Sequence, residues 1–363
     1  RQMCIRDSIQ RLQRLPALLG QVRLLLDAGL EKGVTPPRVT LAKVPQQILD
    51  LAPEAPSDSP LLQSFQRLPA AMSESQREEF VARAEAIYTE QLRPAILALY
   101  VYVRDTYLPN AVRATGLSNL ADGKAWYAHE AHGYTTTDMT PEEIHRLGLD
   151  EVQRIRAEMQ DLMRSVGFKG TIQAFVTKTR QDARWFYTNE QEFLRDYRAL
   201  GKRVDSLLPR LFRNFAALPY GIEPVPEFRA KGSAAAYYLP GSAEFGRPGV
   251  FYVNTVRMAD SPSYEMEALL LHEAVPGHHF QIALAQEIAD VPAFRKHSRF
   301  TAYTEGWGLY AESLGPELGL YTDPYSKFGA LTFEIWRAIR LVVDTGMHCL
   351  LYTSPSPRDL STS

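Results

Sequence analysis

The chain has 363 residues, 45% of them hydrophobic, and its 40 Lys and Arg against 42 Asp and Glu leave a formal net charge of −2. That apolar content supplies a large core and excludes intrinsic disorder, while the balanced charge lacks the cationic excess of a protein that binds nucleic acid or an anionic membrane. No apolar run approaches the roughly 18 to 20 residues of a membrane span, so a soluble chain with a small or peptidic partner is expected.

The ends come first and last in chain order and read alike. RQMCIRDS at 1–8 and CLLYTSPSPRDLSTS at 349–363 resemble peptides that arise when sequencing-adapter DNA is translated with metagenomic reads, and both are set aside. Cys4 and Cys349, the only cysteines, lie inside them. The body from 9 to 348 therefore has no sulfur nucleophile or thiolate ligand, and any metal must be held by His and carboxylates. Compartment, periplasmic or cytoplasmic, and oligomeric state are left open.

Residues 9–230 read as a helical scaffold. Leu12, Leu15, Leu18, Leu19, Val22 and Leu26 recur near the helical period before Gly33 and Pro36-Pro37 end the pattern. A second segment spans Val39 to Leu51. A long helical stretch from about Ser75 to Leu108 carries the apolar run LRPAILALYVYV, with Pro94 as a kink point. Thr140-Pro141-Glu142-Glu143 combines a capping hydroxyl, Pro at the first helical position and Glu three residues after the cap, predicting a helix to about Val166. Thr188-Asn189-Glu190-Gln191 repeats that logic ahead of Phe193, Tyr197 and Leu200.

After GIEPVPEF the texture changes. Residues 231–348 form a second region, continuous with the first, in which Gly249 to Thr255 reads as a strand from its aromatic and β-branched content. That strand is expected to lie along a cleft as a sheet edge, with Tyr252 and Asn254 as candidate substrate or supporting contacts. Ser261-Pro262 then opens a helix carrying Met266, Leu269 and Leu270.

Three of the eight histidines follow in His272-Glu273-Ala274-Val275-Pro276-Gly277-His278-His279. In an HExxH helix two histidines four apart share one zinc, while the intervening Glu polarises the attacking water. Here the i+4 position is Pro276. On an unbroken helix His278 would lie about 240° around from His272, and His279 would lie about 10 Å further along the same face. Nitrogens sharing a tetrahedral zinc are only about 3.3 Å apart, so the helix must deform, and Pro276-Gly277 is the pair to deform it. A two-residue bulge makes His278 the i+4 equivalent and ranks His279 second, as a contact or support.

A third ligand is expected from Thr304-Glu305-Gly306-Trp307-Gly308-Leu309-Tyr310-Ala311-Glu312. Glu305 and Glu312 share a helical face about 10 Å apart, so one alone reaches the metal. Gly306 and Gly308 cost about 1 kcal/mol each inside a helix, which points to another backbone passing close and favours Glu305. Glu312 reads as an exposed or ion-paired residue.

HEAVPGHHFQ and TEGWGLYAE, together with YYLPGSAEFGRPGVFYVNT, RLVVDTGMH and YTTTDMTPEEIHRLGLDEV, resemble the bacterial domain of unknown function 885 family, whose fold relates it to the gluzincin metallopeptidases. The resemblance implies a mainly α, helix-rich gluzincin-like fold with a small β-sheet beside the HExxPGHH helix. It also implies zinc on His272, His278 and Glu305, with Glu273 as general base. The function implied is zinc-dependent hydrolysis of short peptides or a small amide. The family's further helices beyond VVDTGMH are not matched here, which puts the activity of this chain in question.

Other readings are weaker. Arg340 and Asp344, four apart, are read as a helix pair, with a supporting role near the site as the alternative. Glu142 and His145 form one Glu-x-x-His motif where a di-iron carboxylate oxidase needs two. A non-catalytic helical protein that binds metal or peptide is the remaining alternative. It is disfavoured because His2Glu leaves a coordination position open and Glu273 stands in the base position.

Overall fold

The computed structural model describes residues 2–69 and 72–350, of which the tail called adapter-like contributes only Cys349 and Leu350; 351–363 lie outside the described residues. The chain divides into two units at Gly123–Lys124. The regional boundary drawn from the sequence at 230–231 thus falls inside the second unit.

In the first unit, α1 (Gln2–Glu31) opens inside the segment set aside at 1–8. Its Ile9 and Leu12 are buried with Phe65, Ala84, Ile87, Tyr88, Leu92 and Ile96, whereas Leu18, Leu24 and Leu25 are exposed. The predicted 75–108 stretch is one nearly continuous helical rod. It comprises α2 (Glu74–Ile87), capped by Ser73, then α3 (Arg93–Tyr102), with wider π-type turns at Tyr88–Leu92 and Val103–Tyr107. The first wide turn runs into Pro94, which lacks the N–H to continue the ladder.

In the second unit, α4 (Gly123–Thr135) leads to α5 (Pro141–Ser165). The Thr140 hydroxyl accepts from Glu143 N at 3.2 Å and Glu143 accepts from Thr140 N at 2.8 Å, the reciprocal cap the sequence predicts. After α6 (Ile172–Gln181) comes α7 (Glu190–Leu207), whose cap is Asn189 rather than Thr188. Asn189 Oδ1 accepts from Glu192 N at 3.1 Å, an acceptor one residue nearer the first turn.

The sheet has three strands, β1 (Tyr220–Pro224), β2 (Ala236–Leu239) and β3 (Gly249–Val253), in the order β1-β3-β2. β1 runs parallel to β3 with Tyr220 opposite Gly249, and β2 runs antiparallel with Ala236 opposite Val253. The predicted strand is therefore central, not an edge. Both its ladders are paired, and Phe251 and Val253 point into the core against Tyr197 of α7. The edges fall to β1 and β2, of which β2 is short and ends before Pro240, as edges commonly do. Asn254, just past β3, is fully buried, and its Nδ2 donates to the carbonyls of Ala230, Ser233 and Ala234. It clamps a loop.

Beyond the sheet, α8 (Met266–Glu273) is sunk in the core by Met266, Ala268, Leu270 and Leu271. Then follow α9 (His278–Glu287), α10 (Ala293–His297), α11 (Thr301–Ser313) and α12 (Pro324–Thr345). Phe328, Leu331 and Ala338 of α12 pack with Ile155, Met159 and Met163 of α5. No helix among the described residues is long and apolar enough to cross a membrane.

Candidate metal centre

The HExxPGHH segment is a full break rather than a bulge. α8 stops at Glu273, the chain turns through Ala274–Gly277 across a cis Val275–Pro276 bond, and α9 starts at His278. Gly277 is required there, because a Cβ would run into the carbonyl oxygens of Leu271 and His272. The break turns His278 back toward His272, their rings 4.6 Å apart at 76°.

The downstream motif EGWGLYAE brings α11 onto this turn, and four of its residues do separate work. Glu305 Oε2 lies 3.6 Å from His272 Nε2, and Oε1 lies 3.7 Å from His278 Nε2. Trp307 Nε1 donates to Pro276 O at 2.7 Å. At Gly308 a Cβ would sit 2.5 Å from His272 Cε1, so glycine here makes room for the ring. Glu312 accepts from His272 Nδ1 at 2.7 Å. At Gly308 the close approach is that of the His272 ring, not of the backbone the sequence led one to expect. The expectation also fails at Gly306, which faces open space.

Ligand atoms of His272, His278 and Glu305 all lie within 4.8 Å of one another, and among the described residues no other group of His, Cys, Asp and Glu is so placed. The Glu142/His145 motif has no such partners, and His145 Nδ1 pairs instead with Thr345 Oγ1 at 2.8 Å. The donor set fits zinc. Its Nε2-to-carboxylate separations are close to the roughly 3.3 Å between atoms that share a tetrahedral ion, and two imidazoles with one carboxylate are a donor set that zinc accepts. Glu312 accepts the Nδ1–H of His272, the hydrogen bond that would turn the Nε2 lone pair toward a metal.

Glu312 is the residue that sequence reasoning undervalued. Ion-paired it is, but buried, with Arg337 Nη2 of α12 at 2.8 Å and Tyr321 OH donating to its backbone carbonyl at 3.0 Å. Arg337 was missed altogether. The signal available was the seven-residue spacing from Glu305, since a carboxylate sharing the ligand's helical face can support a ligand as well as be one.

Burial alone would lower the His272 pKa, but its hydrogen bonds to Glu305 and Glu312 outweigh that and hold it up at about 9 without metal. His278 is pushed down to about 4 by burial and by the charge on His272. The hydrogen bond from His272 lowers Glu305 below the usual carboxylate range. Desolvation raises Glu273 to about 7, against the pull of His272.

The backbone N–H of Tyr238 faces Glu273 and pulls its pKa down against the desolvation. Ala235 O pairs with Asn254 N, so by the alternation of an antiparallel ladder the Tyr238 N–H points away from β3, toward α8. β2 therefore presents its free edge to Glu273. His279 points elsewhere: its Nδ1 meets Tyr238 OH at 2.9 Å and burial lowers its pKa to about 4. Tyr252 is half-buried against Tyr237, with ring centroids 5.1 Å apart. Arg340 lies over the Trp336 ring, and Asp344 accepts from Tyr127 OH at 2.7 Å, so the expected pair gives way to other partners.

The chain belongs to the family described as bacterial protein of unknown function (DUF885), whose model matches residues 4–358, including parts of both end segments. Among solved structures it is similar to the crystal structure of a "putative lipoprotein" from Colwellia psychrerythraea, at 26% identity and a TM-score of 0.91. The match covers 97% of this chain and 62% of that one, so the chain spans less than two thirds of that protein's length. No curated protein matches.

Proposed function

We propose that the protein is a zinc-dependent hydrolase with a gluzincin-like site, acting on short peptides or a related amide. The observation that carries the reading is the open His272, His278 and Glu305 cluster with Glu273 directly beside it on α8. Zinc held by those three residues would supply Lewis acidity, polarising a carbonyl and acidifying water. Glu273 takes the proton of the attacking water and returns it to the leaving amine. Tyr238 N–H orients that carboxylate, and Glu312, backed by Arg337, holds the His272 ring. The outer edge of β2, beside Glu273, offers main-chain hydrogen bonds to an extended substrate.

The test is a peptide-library digest by the zinc-loaded protein. Cleavage should disappear on chelation, return with zinc, and fall by roughly 10²- to 10⁴-fold in Glu273→Gln, the range of a general base. Cleavage that survives both chelation and Glu273→Gln rules the mechanism out. No cleavage of any peptide turns the reading to a binding protein.

A further inference from the structure

Beside the metal centre lies a recess of about 400 Å³ whose charged lining residues all carry the same sign. Arg247 comes from the loop after β2, while Arg295, Lys296 and Arg299 come from α10 and the segment following it. No Asp or Glu lines it, and none of the four cations forms an ion pair among the described residues. The chain as a whole carries a net charge of −2, so the positive excess is local to the recess. Gathering four like charges is unfavourable unless an anion joins them.

The floor of the recess is firm. α9 supplies Gln281 and Gln286, of which Gln281 Nε2 donates to Tyr303 O at 3.0 Å and Gln286 Oε1 accepts from Ala243 N at 3.0 Å. These bonds fix α11 and the loop after β2 to one helix. The rim touches the reacting centre on two sides: Leu239 follows Tyr238, whose N–H holds the base, and Thr304 precedes the ligand Glu305.

We propose that this recess is a specificity subsite that binds a carboxylate of the substrate, selecting peptides that bring a carboxylate to it over those that do not. The inference rests on the hydrolase reading for the position of the substrate but not for its binding. Two sources of carboxylate fit the recess, according to strand direction. A peptide antiparallel to β2 brings its N-terminal residues to the Leu239 end, so a side-chain carboxylate enters. A parallel peptide brings its C-terminus there, so the terminal carboxylate enters.

The test measures binding and turnover separately. Calorimetry on the zinc-loaded Glu273→Gln protein uses a neutral hexapeptide and its Glu-substituted counterpart, each with a free and an amidated C-terminus. Peptides carrying the carboxylate that enters the recess should bind at least about 10-fold tighter than the amidated neutral hexapeptide, the order of one charge-assisted hydrogen bond, and the advantage should shrink with salt. Loss on amidation identifies the terminal carboxylate; retention identifies the side chain. Arg295→Ala with Arg299→Ala should abolish the preference without affecting the amidated neutral peptide, and Arg295→Lys with Arg299→Lys should retain most of it. Equal affinity for all four peptides, binding of none, or a preference unchanged in the Ala pair overturns the subsite. Acid-selective binding without cleavage by the wild type instead overturns the hydrolase reading and leaves the subsite standing.

Discussion

At the scale of single residues, the centre depends on which nitrogen of His272 faces the metal, and Glu312 decides that. Replacing Glu312 by Gln keeps the size but removes the charge that accepts the Nδ1 proton, and it leaves Arg337 facing a neutral amide inside the protein. Zinc affinity should fall roughly 10- to 100-fold, as for other partners of a ligating histidine. Competition with a chromophoric chelator measures it, and unchanged affinity would mean that the ring is held by packing alone. The contrast with Glu305 is instructive. Both are glutamates of one motif on one helical face, yet Glu305 is mostly exposed and free to ligate, while Glu312 is sealed under α12. Sequence spacing put both on that face, but only the packing of a helix some twenty residues later separates their roles.

At the scale of elements, α11 offers an internal comparison between two glycines two residues apart. Ala at Gly306 meets nothing and removes a poor helix former, so Gly306→Ala should stabilise by about 0.5–1 kcal/mol. Ala at Gly308 strikes the His272 ring and should cost about 1–3 kcal/mol while weakening zinc binding. Thermal melts of the two variants, with and without zinc, give the comparison directly. Local signals of this kind were legible in the sequence: the Thr140 cap, the strand at 249–253 and the need for Pro276-Gly277 to deform a helix all stand in the structure. What was not legible was non-local. That β3 is central depends on β1, some twenty-five residues earlier, and nothing in GVFYV records its partners. The cap at Asn189 shows the limit at short range, where two adjacent acceptors compete and tertiary context selects one.

At the scale of the molecule, a ligand that binds the folded state alone must raise its stability. Zinc at 100 times its dissociation constant should add about 2.7 kcal/mol, raising the melting temperature, and chelation should reverse it. A second global property concerns pH. Glu265, at the head of α8, is raised to about 7 by burial, with Arg180 3.9 Å away pulling the other way. Because its folded pKa exceeds its ordinary value of 4.5, the folded state holds that proton longer than the unfolded chain. Its contribution is full below about 4.5 and is lost as pH rises toward and through about 7. Glu265→Gln should therefore flatten the decline in stability across that interval, leaving the variant relatively more stable above pH 7. Chemical denaturation at a series of pH values tests this, and parallel curves for the two proteins would contradict it.

The Tyr238 amide facing Glu273 has a consequence for spectroscopy. An amide proton shared with a carboxylate is strongly deshielded, and it relaxes when the acceptor gains a proton. Tyr238 thus carries a built-in indicator: in a nitrogen-15 spectrum its resonance should move with a midpoint at the Glu273 pKa, and in Glu273→Gln it should lose that titration. The Glu273 carboxylate can then be followed through its neighbour, without any added ligand.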